Sequence, residues 1–160
     1  MCIRDRARAL LFETLQILKE HGAEAHSGIA YINLGEIETD MGLLDEAETH
    51  LYEGLKVSNQ TGSHRVKAAN QAALGRLFLK QGRLAEAKPL IDTALKAFQT
   101  NEDMTELGKV YCCLAEYNQL VGDQVSAEAA LNEAQTIATR LKTAQKSELS
   151  RRIRRLSPSS

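Results

Sequence analysis

Apolar and small positions recur at an interval of 40 residues along the 160-residue chain. A large apolar residue, a glycine, an alanine, a second large apolar residue and a further small residue return in this order. The sets are Leu34, Leu74 and Leu114; Gly42, Gly82 and Gly122; Ala47, Ala87 and Ala127; Leu51, Ile91 and Leu131; and Gly54, Ala94 and Ala134. A fixed period of this length is typical of stacked supersecondary units rather than of one globular core. The period predicts the architecture and leaves the ligand open.

Each unit has the pattern of a helix, a tight turn and a second helix. In the first full unit, Ala47, Leu51 and Leu55 share one helical face at i, i+4, i+8 spacing, and Gly42 suits a left-handed turn before them. The pattern predicts helices over 24–41 and 45–60, then 64–81 and 84–99, then 104–121 and 125–141, with a charged capping helix over 143–156. We therefore predict an all-α protein, an α-solenoid of antiparallel helix pairs with about seven to eight helices.

The N-terminus departs from this pattern. Residues 1–6 resemble the translation of a sequencing-transposon end, and we expect them to be foreign to the protein; a genuine short N-terminus is the alternative. Residues 7–22 fit the register of the second helix of a repeat whose first helix is absent. We therefore expect a C-terminal fragment of a longer protein. The predicted units are 7–22, a truncated repeat; 23–62, 63–102 and 103–142, three full repeats; 143–156, a cap; and 157–160, a disordered tail.

The truncated repeat has a consequence for assembly. Without its first helix, its apolar stripe would be left bare, and exposed apolar patches favour association. The sequence therefore predicts homodimerisation through Leu11, Leu15 and Leu18.

The order of the recurring residues resembles the signature of the tetratricopeptide repeat family. The matching residues are Leu34-Gly35, Gly42, Ala47, Leu51 and Gly54; Leu74-Gly75, Gly82, Ala87, Ile91 and Ala94; and Leu114-Ala115, Gly122, Ala127, Leu131 and Ala134. The resemblance covers about residues 7–141. The 40-residue spacing and the run from Glu86 to Leu90 are similar to the long-repeat subgroup, which includes kinesin light chain and bacterial signalling proteins. The resemblance implies a right-handed superhelix. One departure is Gln71, where the other units carry the signature aromatic as Tyr31 and Tyr111.

The resemblance also implies a concave groove, lined by the first helix of each unit, that binds a protein or peptide. Carried over residue by residue, the groove consists of Ile29, Ile32, Asn33, Glu36 and Asp40; Ala69, Ala72, Ala73, Arg76 and Lys80; and Lys109, Cys112, Cys113, Glu116 and Leu120. Its floor is small and apolar with acidic, basic and acidic groups in series, which suits an extended or helical segment of mixed charge. Some family members hold chaperone C-termini with Lys and Asn where this chain has Ile32 and Glu36, so we do not expect chaperone docking.

Composition excludes several other classes of function. The formal net charge is −1, so no global field would recruit nucleic acid. No apolar run approaches the roughly 18 residues of a membrane span. Three cysteines without paired spacing fit a reducing cytoplasm. The chain has no Gly-Lys-Ser/Thr phosphate loop, Cys-x-x-Cys or His-Glu-x-x-His. We therefore predict a non-enzymatic protein with no catalytic residue, cofactor or metal, and with no nucleic-acid or membrane partner.

Dense acidic and histidine positions carry no ligand spacing. The acidic run lacks the alternating Asp-x-Asp-x-Asp-Gly loop that calcium requires, and we predict a solvated face instead. We likewise expect exposed histidines rather than metal ligands. The acidic residues are Glu36, Glu38, Asp40, Asp45, Glu46 and Glu48, and the histidines are His21, His26, His50 and His64.

Charge alternates in blocks that follow the repeats. Residues 21–55 contain eight acidic and no basic residues, whereas residues 56–99 contain eight basic and two acidic ones. Residues 100–135 are again acidic and 136–160 basic. Opposite charge on neighbouring units would favour stacking in order; chance combined with solvation is the alternative. Four arginines form a basic cluster at positions 151, 152, 154 and 155, for which we prefer a solvated terminal cap over contact with nucleic acid or anionic lipid.

Two functions fit this sequence. The first is a cytoplasmic protein–protein interaction module, the C-terminal array of a larger signalling or regulatory protein. The second is a structural spacer that packs against its own missing N-terminal domain.

Overall fold

The computed structural model describes residues 2–101, 103–141 and 147–157. These residues contain eight α-helices. In chain order they are α1 (Ile3–Glu20), α2 (Ser27–Met41), α3 (Leu44–Thr61), α4 (His64–Lys80), α5 (Leu84–Asn101), α6 (Met104–Leu120), α7 (Gln124–Arg140) and α8 (Glu148–Leu156). The predicted bounds agree to within a few residues. Among the six helices predicted over 24–141, the first differs most, because its first residues form a 3-10 turn, Glu24–His26, before α2.

Helix pairs are joined by tight turns that contain a left-handed glycine. Gly42 ends α2 at a φ of 79°, and Gly122 follows α6 at a φ of 81°. The N–H of Leu43 donates to the carbonyl of Glu38, a six-to-one bond that satisfies an orphan carbonyl of the last helical turn. A side chain at Gly42 would be strained by the backbone conformation alone. The glycines that recur every 40 residues in the sequence therefore mark the ends of α2, α4 and α6.

Polar residues begin several of the helices. The side chains of Ser63, Asp103, Asp123 and Ser147 each accept a hydrogen bond from the backbone N–H three residues later. Each bond satisfies one of the four donors that a helix N-terminus leaves unpaired. Short polar caps and glycine stops together confine the turns to two or three residues.

Mid-helix glycines allow the two helices of a pair to approach closely. A Cβ placed at Gly35 would lie 2.4 Å from Cγ of Leu51, and one at Gly75 would lie 2.8 Å from Cγ1 of Ile91. Neither distance is tolerated by real carbon atoms. A glycine inside a helix costs about 1 kcal/mol relative to alanine. Glycine recurs at these positions despite that cost, because an apolar side chain of α3 or α5 rests on the backbone of α2 or α4.

The helices lie in two layers. Each of α2, α4, α6 and α8 contacts the next member of this set, whereas α3, α5 and α7 do not contact one another among the described residues. Helices that touch within one layer and separate within the other give a curved stack. The layer of α2, α4, α6 and α8 is therefore the concave, inner layer. The layer of α3, α5 and α7 is the convex, outer layer. A continuous core between the layers includes Leu51, Leu74, Leu77, Ile91 and Phe98.

Helix α1 occupies the position of an outer helix before α2. It starts at Ile3, so residues 3–6 continue the helix. Leu11, Leu15 and Leu18 are half-buried, and the expectation that this stripe would be bare is wrong. These leucines turn inward because α1 packs across α2 and the 3-10 turn. The exposed apolar side chains of α1 are instead Ile3, Leu10, Phe12 and Ile17.

The C-terminal segment forms a shorter helix than the sequence predicted. Helix α8 covers Glu148–Leu156 of the predicted 143–156. Residues 142–146, and 158–160 of the predicted tail, lie outside the described residues. In the 40-residue register α8 is where the inner helix of a further unit would be, and it packs on α6 and α7 accordingly.

Candidate binding groove

The predicted groove residues all belong to the inner-layer helices α2, α4 and α6, and they lie at different depths. Ile29, Asn33, Lys80 and Leu120 are exposed; Glu36, Asp40, Ala69, Lys109 and Glu116 are half-buried; and Ile32, Ala72, Ala73, Arg76, Cys112 and Cys113 are buried. The small apolar residues of the predicted floor thus belong to the core between the layers. The residues available to a ligand are chiefly the charged ones.

Opposite charges pair between neighbouring inner helices. Arg76 Nη2 of α4 donates to Asp40 Oδ1 of α2, and Lys80 Nζ of α4 donates to Glu116 Oε1 of α6 at 2.7 Å. Both pairs join residues 36 positions apart, one helical turn short of the repeat. Two further ion pairs, Arg83 with Glu48 and Arg65 with Asp103, also join neighbouring units. The alternating charge blocks therefore meet across unit boundaries, as expected from ordered stacking.

Helix α8 extends this network across the whole groove. Arg152 Nη2 donates to Oε1 of Glu36 on α2 at 2.8 Å and also to Glu148 on its own helix. Lys109 Nζ of α6 lies 3.6 Å from Glu36 Oε2 and 3.6 Å from Glu148 Oε2. The first inner helix is thereby joined to the last.

Arg152 corrects the interpretation of the basic cluster as a solvated cap. It is 7% exposed, because the register places it on the inner face of α8, 40 residues after Cys112. Arg151 and Arg155, by contrast, are exposed. The curvature of the stack brings Arg152 to Glu36, 116 residues away along the chain.

Asp40, Lys109 and Glu148 remain ionised at neutral pH. Burial opposes ionisation of Asp40 and Glu148, but the neighbouring Arg76 and Arg152 outweigh it and hold both carboxyl pKa values below their usual range. Burial likewise opposes the charge of Lys109, yet the surrounding glutamates raise its pKa. Charged partners, rather than exposure to water, compensate for the partial desolvation of these groups.

Two cavities flank the network. The larger, about 460 Å³, lies between α1, α2 and α8 and is lined by Ile3, Arg4, Ala7, Leu10, Leu11, Asn33, Glu36, Ile37, Asp40, Arg76, Glu148, Arg151, Arg152 and Arg155. The smaller, about 150 Å³, lies between α4, α6 and α8. The larger cavity combines an apolar wall from α1 with acidic groups of α2 and basic groups of α8. We call it the groove cavity.

The expected exposure holds for His21, His26, His64, Asp45 and Glu46 but not for Glu38 and His50. Glu38 is fully buried, and it accepts a hydrogen bond from Arg8 Nε at 2.8 Å while its other oxygen lies 2.7 Å from His50 Nδ1. A solvated face is therefore wrong for Glu38, and an exposed side chain is wrong for His50. Helix α1 causes the difference, because it covers this part of α2. Among the described residues no group of three or more His, Cys, Asp or Glu side chains is placed to hold a metal ion.

The two adjacent thiols of α6 are unreactive at neutral pH. Both Cys112 and Cys113 are buried and unpaired. Burial raises the pKa of Cys112 to about 12 and also raises that of Cys113. The thiolate is the reactive form of cysteine, so these side chains stay protonated and unreactive at neutral pH.

None of the described helices is long and apolar enough to cross a membrane.

The fold and this inner surface define an α-solenoid of repeated helix pairs, a class built for binding along a curved surface. The sequence profile described as tetratricopeptide repeat matches residues 26–100, so this part of the chain consists of tetratricopeptide repeats. Its fold is similar to the crystal structure of BtubC (BKLC) from P. vanneervenii, with a TM-score of 0.67 and 21% sequence identity. The match covers 90% of this chain but only 60% of that chain. A comparison with curated proteins finds no match.

Sequence reasoning missed the contributions of the terminal helices to the groove. It assigned groove residues to α2, α4 and α6, whereas the groove cavity is also lined by Leu10 and Leu11 of α1 and by Arg152 and Arg155 of α8. The signal that could have found Arg152 is the 40-residue register, which places it after Cys112. No comparable signal marks Leu10, because it depends on how α1 crosses α2.

Proposed function

We propose that this chain is a non-catalytic scaffold for protein–protein interaction, the C-terminal repeat array of a larger signalling or regulatory protein, which binds a peptide or helix on its concave side. The groove cavity carries this proposal. Its volume of about 460 Å³ is within the common range for ligand pockets, about 300–1,000 Å³. Tetratricopeptide repeats generally bind protein partners, and neither catalytic motifs nor cofactor signatures occur in the sequence.

The lining of the groove cavity indicates the chemistry of the partner. Leu10, Leu11 and Ile37 offer apolar contact, while Asp40 and Arg155 present charges of both signs. A segment with an apolar anchor flanked by acidic and basic residues fits this surface better than a uniformly acidic tail. Apolar anchors in pockets usually supply most of the affinity of such interfaces.

The test is selection of peptides from a random library on the full chain, followed by measured affinities of two matched variants. Leu10 and Ile17 are both on α1 and are 57% and 55% exposed, but only Leu10 lines the groove cavity. We expect Leu10→Asp to weaken a selected peptide at least about tenfold, or about 1.4 kcal/mol. Ile17→Asp should leave its affinity unchanged. Failure to select any peptide, or equal losses in both variants, would contradict the proposal.

A structural spacer is the second candidate, and the exposed apolar residues of α1 favour it. Phe12 is 39% and Ile17 is 55% exposed, on a helix with no buried residue. An upstream domain of the same protein would cover this face. Sequencing of the gene upstream, followed by binding assays with the segment it encodes, tests this function. Loss of that binding in Ile17→Asp but not in Leu10→Asp would favour the spacer over the peptide-binding scaffold. A second copy is the other occupant, and sedimentation of the chain alone would detect it as a dimer.

A further inference from the structure

Two buried guanidinium groups in the inner layer each have one nitrogen donor without an acceptor among the described residues. Arg76 and Arg152 are 5% and 7% exposed, and within the described residues Arg76 Nη1 and Arg152 Nε have no hydrogen-bond partner. Burying a donor without an acceptor is costly, and such groups are rare in folded proteins.

Both arginines line the smaller cavity between α4, α6 and α8. The remaining lining consists of Lys80, Cys112, Cys113, Glu116, Arg155 and Leu156. Four cations and a single carboxylate thus surround this space, which we call the cationic pocket. The other carboxylates that pair with the two arginines lie toward the groove cavity. There Asp40 accepts from Arg76 Nη2, and Glu36 and Glu148 accept from Arg152 Nη2.

We propose that the cationic pocket binds a phosphate-sized oxyanion, which accepts hydrogen bonds from Arg76 Nη1 and Arg152 Nε. Guanidinium groups match the geometry of oxyanions and form strong charge-assisted bonds with them. The pocket volume of about 150 Å³ is several times the roughly 10–15 Å³ of probe volume that holds one water molecule. A tetrahedral oxyanion has five non-hydrogen atoms and fits this space. Cys112 and Cys113 bring no negative charge to the site, because their thiols remain protonated.

The proposed anion site adjoins the proposed peptide site but does not depend on it. Arg76, Arg152 and Arg155 line both cavities, so an anion in the cationic pocket would lie beside any segment in the groove cavity. The anion has two sources: free inorganic phosphate, or a phosphate group carried by a protein side chain. Both present the same oxygen atoms to the same donors.

The experiment is a titration of the full chain with inorganic phosphate, with chloride adjusted to keep ionic strength constant. The arginine Nε–H resonances are followed by NMR. We expect a saturable shift of the Arg152 Nε–H signal. The Nε–H of Arg65, which already donates to Asp103 at 2.8 Å far from the pocket, is the internal control and should not move. Equal, linear shifts of all arginine signals, or no shift, would overturn the proposal.

A second titration distinguishes the two sources of the anion. Blocked phosphoserine carries the same phosphate group on a side chain and backbone. Saturation by inorganic phosphate alone would assign the pocket to a free anion, whereas tighter binding of phosphoserine would assign it to a phosphorylated segment. Saturation by neither compound refutes the site even if the chain binds unphosphorylated peptides, so this failure is separate from failure of the proposed function.

Two lysine variants test the pocket without disturbing the buried arginines. Lys80 lines the pocket and pairs with Glu116, and Lys88 of α5 pairs with Asp92 away from it. We expect Lys80→Gln to weaken phosphate binding at least about threefold and Lys88→Gln to have no effect.

A third variant, Arg152→Lys, keeps the positive charge and removes the Nε–H. It should retain a cooperative thermal melt and weaken phosphate about tenfold. Unchanged phosphate affinity in both Lys80→Gln and Arg152→Lys would overturn the assignment.

Discussion

Replacement of Gly35 by alanine tests whether close helix contact explains the mid-helix glycines. The added Cβ would lie 2.4 Å from Cγ and 2.6 Å from Cδ2 of Leu51. Cγ is the branch point of the side chain, so relief requires either a new χ1 rotamer or separation of α2 from α3. Leu51 is fully buried, and neither adjustment has free space around it. The substitution therefore forces overpacking in the core.

Two opposing effects set the magnitude. Alanine is favoured over glycine in a helix by about 1 kcal/mol. Overpacking a dense core costs about 1–3 kcal/mol, and contact with a branch carbon belongs in the upper part of that range. We therefore expect Gly35→Ala to lower the free energy of unfolding by about 1–2 kcal/mol, despite its better helix propensity.

The decisive measurement is a double-mutant cycle by urea unfolding. Leu51→Ala should cost about 2–5 kcal/mol by opening a cavity. It also removes Cγ, so Gly35→Ala in that background should stabilise by about 1 kcal/mol. The effect of one substitution thus changes sign with its neighbour. If Gly35→Ala destabilises equally in both backgrounds, or stabilises in both, close contact with Leu51 is not the reason for the glycine.

Three further predictions concern packing, thiols and acid. Ala87→Leu should destabilise by about 1–3 kcal/mol because Ala87 is fully buried, whereas the same change at exposed Ala85 on the same helix should be nearly neutral; an unchanged thermal melt of Ala87→Leu would contradict this. A thiol reagent should label Cys2 rapidly in the native protein and leave the two buried thiols of α6 unlabelled until unfolding; rapid labelling of all three would refute their burial. Because the pKa of Asp40 is lowered in the folded state, its stabilising contribution is present above the unfolded pKa of about 4 and is lost as pH falls through the lower folded pKa. Asp40→Asn should therefore flatten the decline of the melting temperature below about pH 4, and an unaltered acid profile would exclude this contribution.

The helices and their pairing could be predicted from sequence because local rules determine them. Gly42 ends α2 through its own backbone, and Ser63 begins α4 through its own side chain. The contact of Gly35 with Leu51 recurs as that of Gly75 with Ile91, so the repeat period reveals it. Each of these features depends on residues at most about 20 positions apart.

The groove could be predicted only in part, because its geometry depends on the sum of small rotations between units. Arg152 meets Glu36 only when the stack has a particular curvature, and no local pattern in the sequence specifies it. The burial of Glu38 has a similar origin. Its partners Arg8 and His50 come from helices on either side, and their approach depends on the crossing of α1 over α2. Polar residues that hydropathy assigns to a solvated face are buried there because they have charged partners.

The bridge from Glu36 to Arg152 has a consequence for unfolding. In a linear repeat array each unit contacts only its neighbours, so the end units can fray one at a time. Here an ion pair clasps the first full unit to the terminal helix, with Lys109 held between Glu36 and Glu148. This ion pair therefore links the terminal helix directly to the first full unit. Opening the concave side requires this ion pair to break, so we expect the C-terminal helix and the first full repeat to unfold together rather than to fray separately.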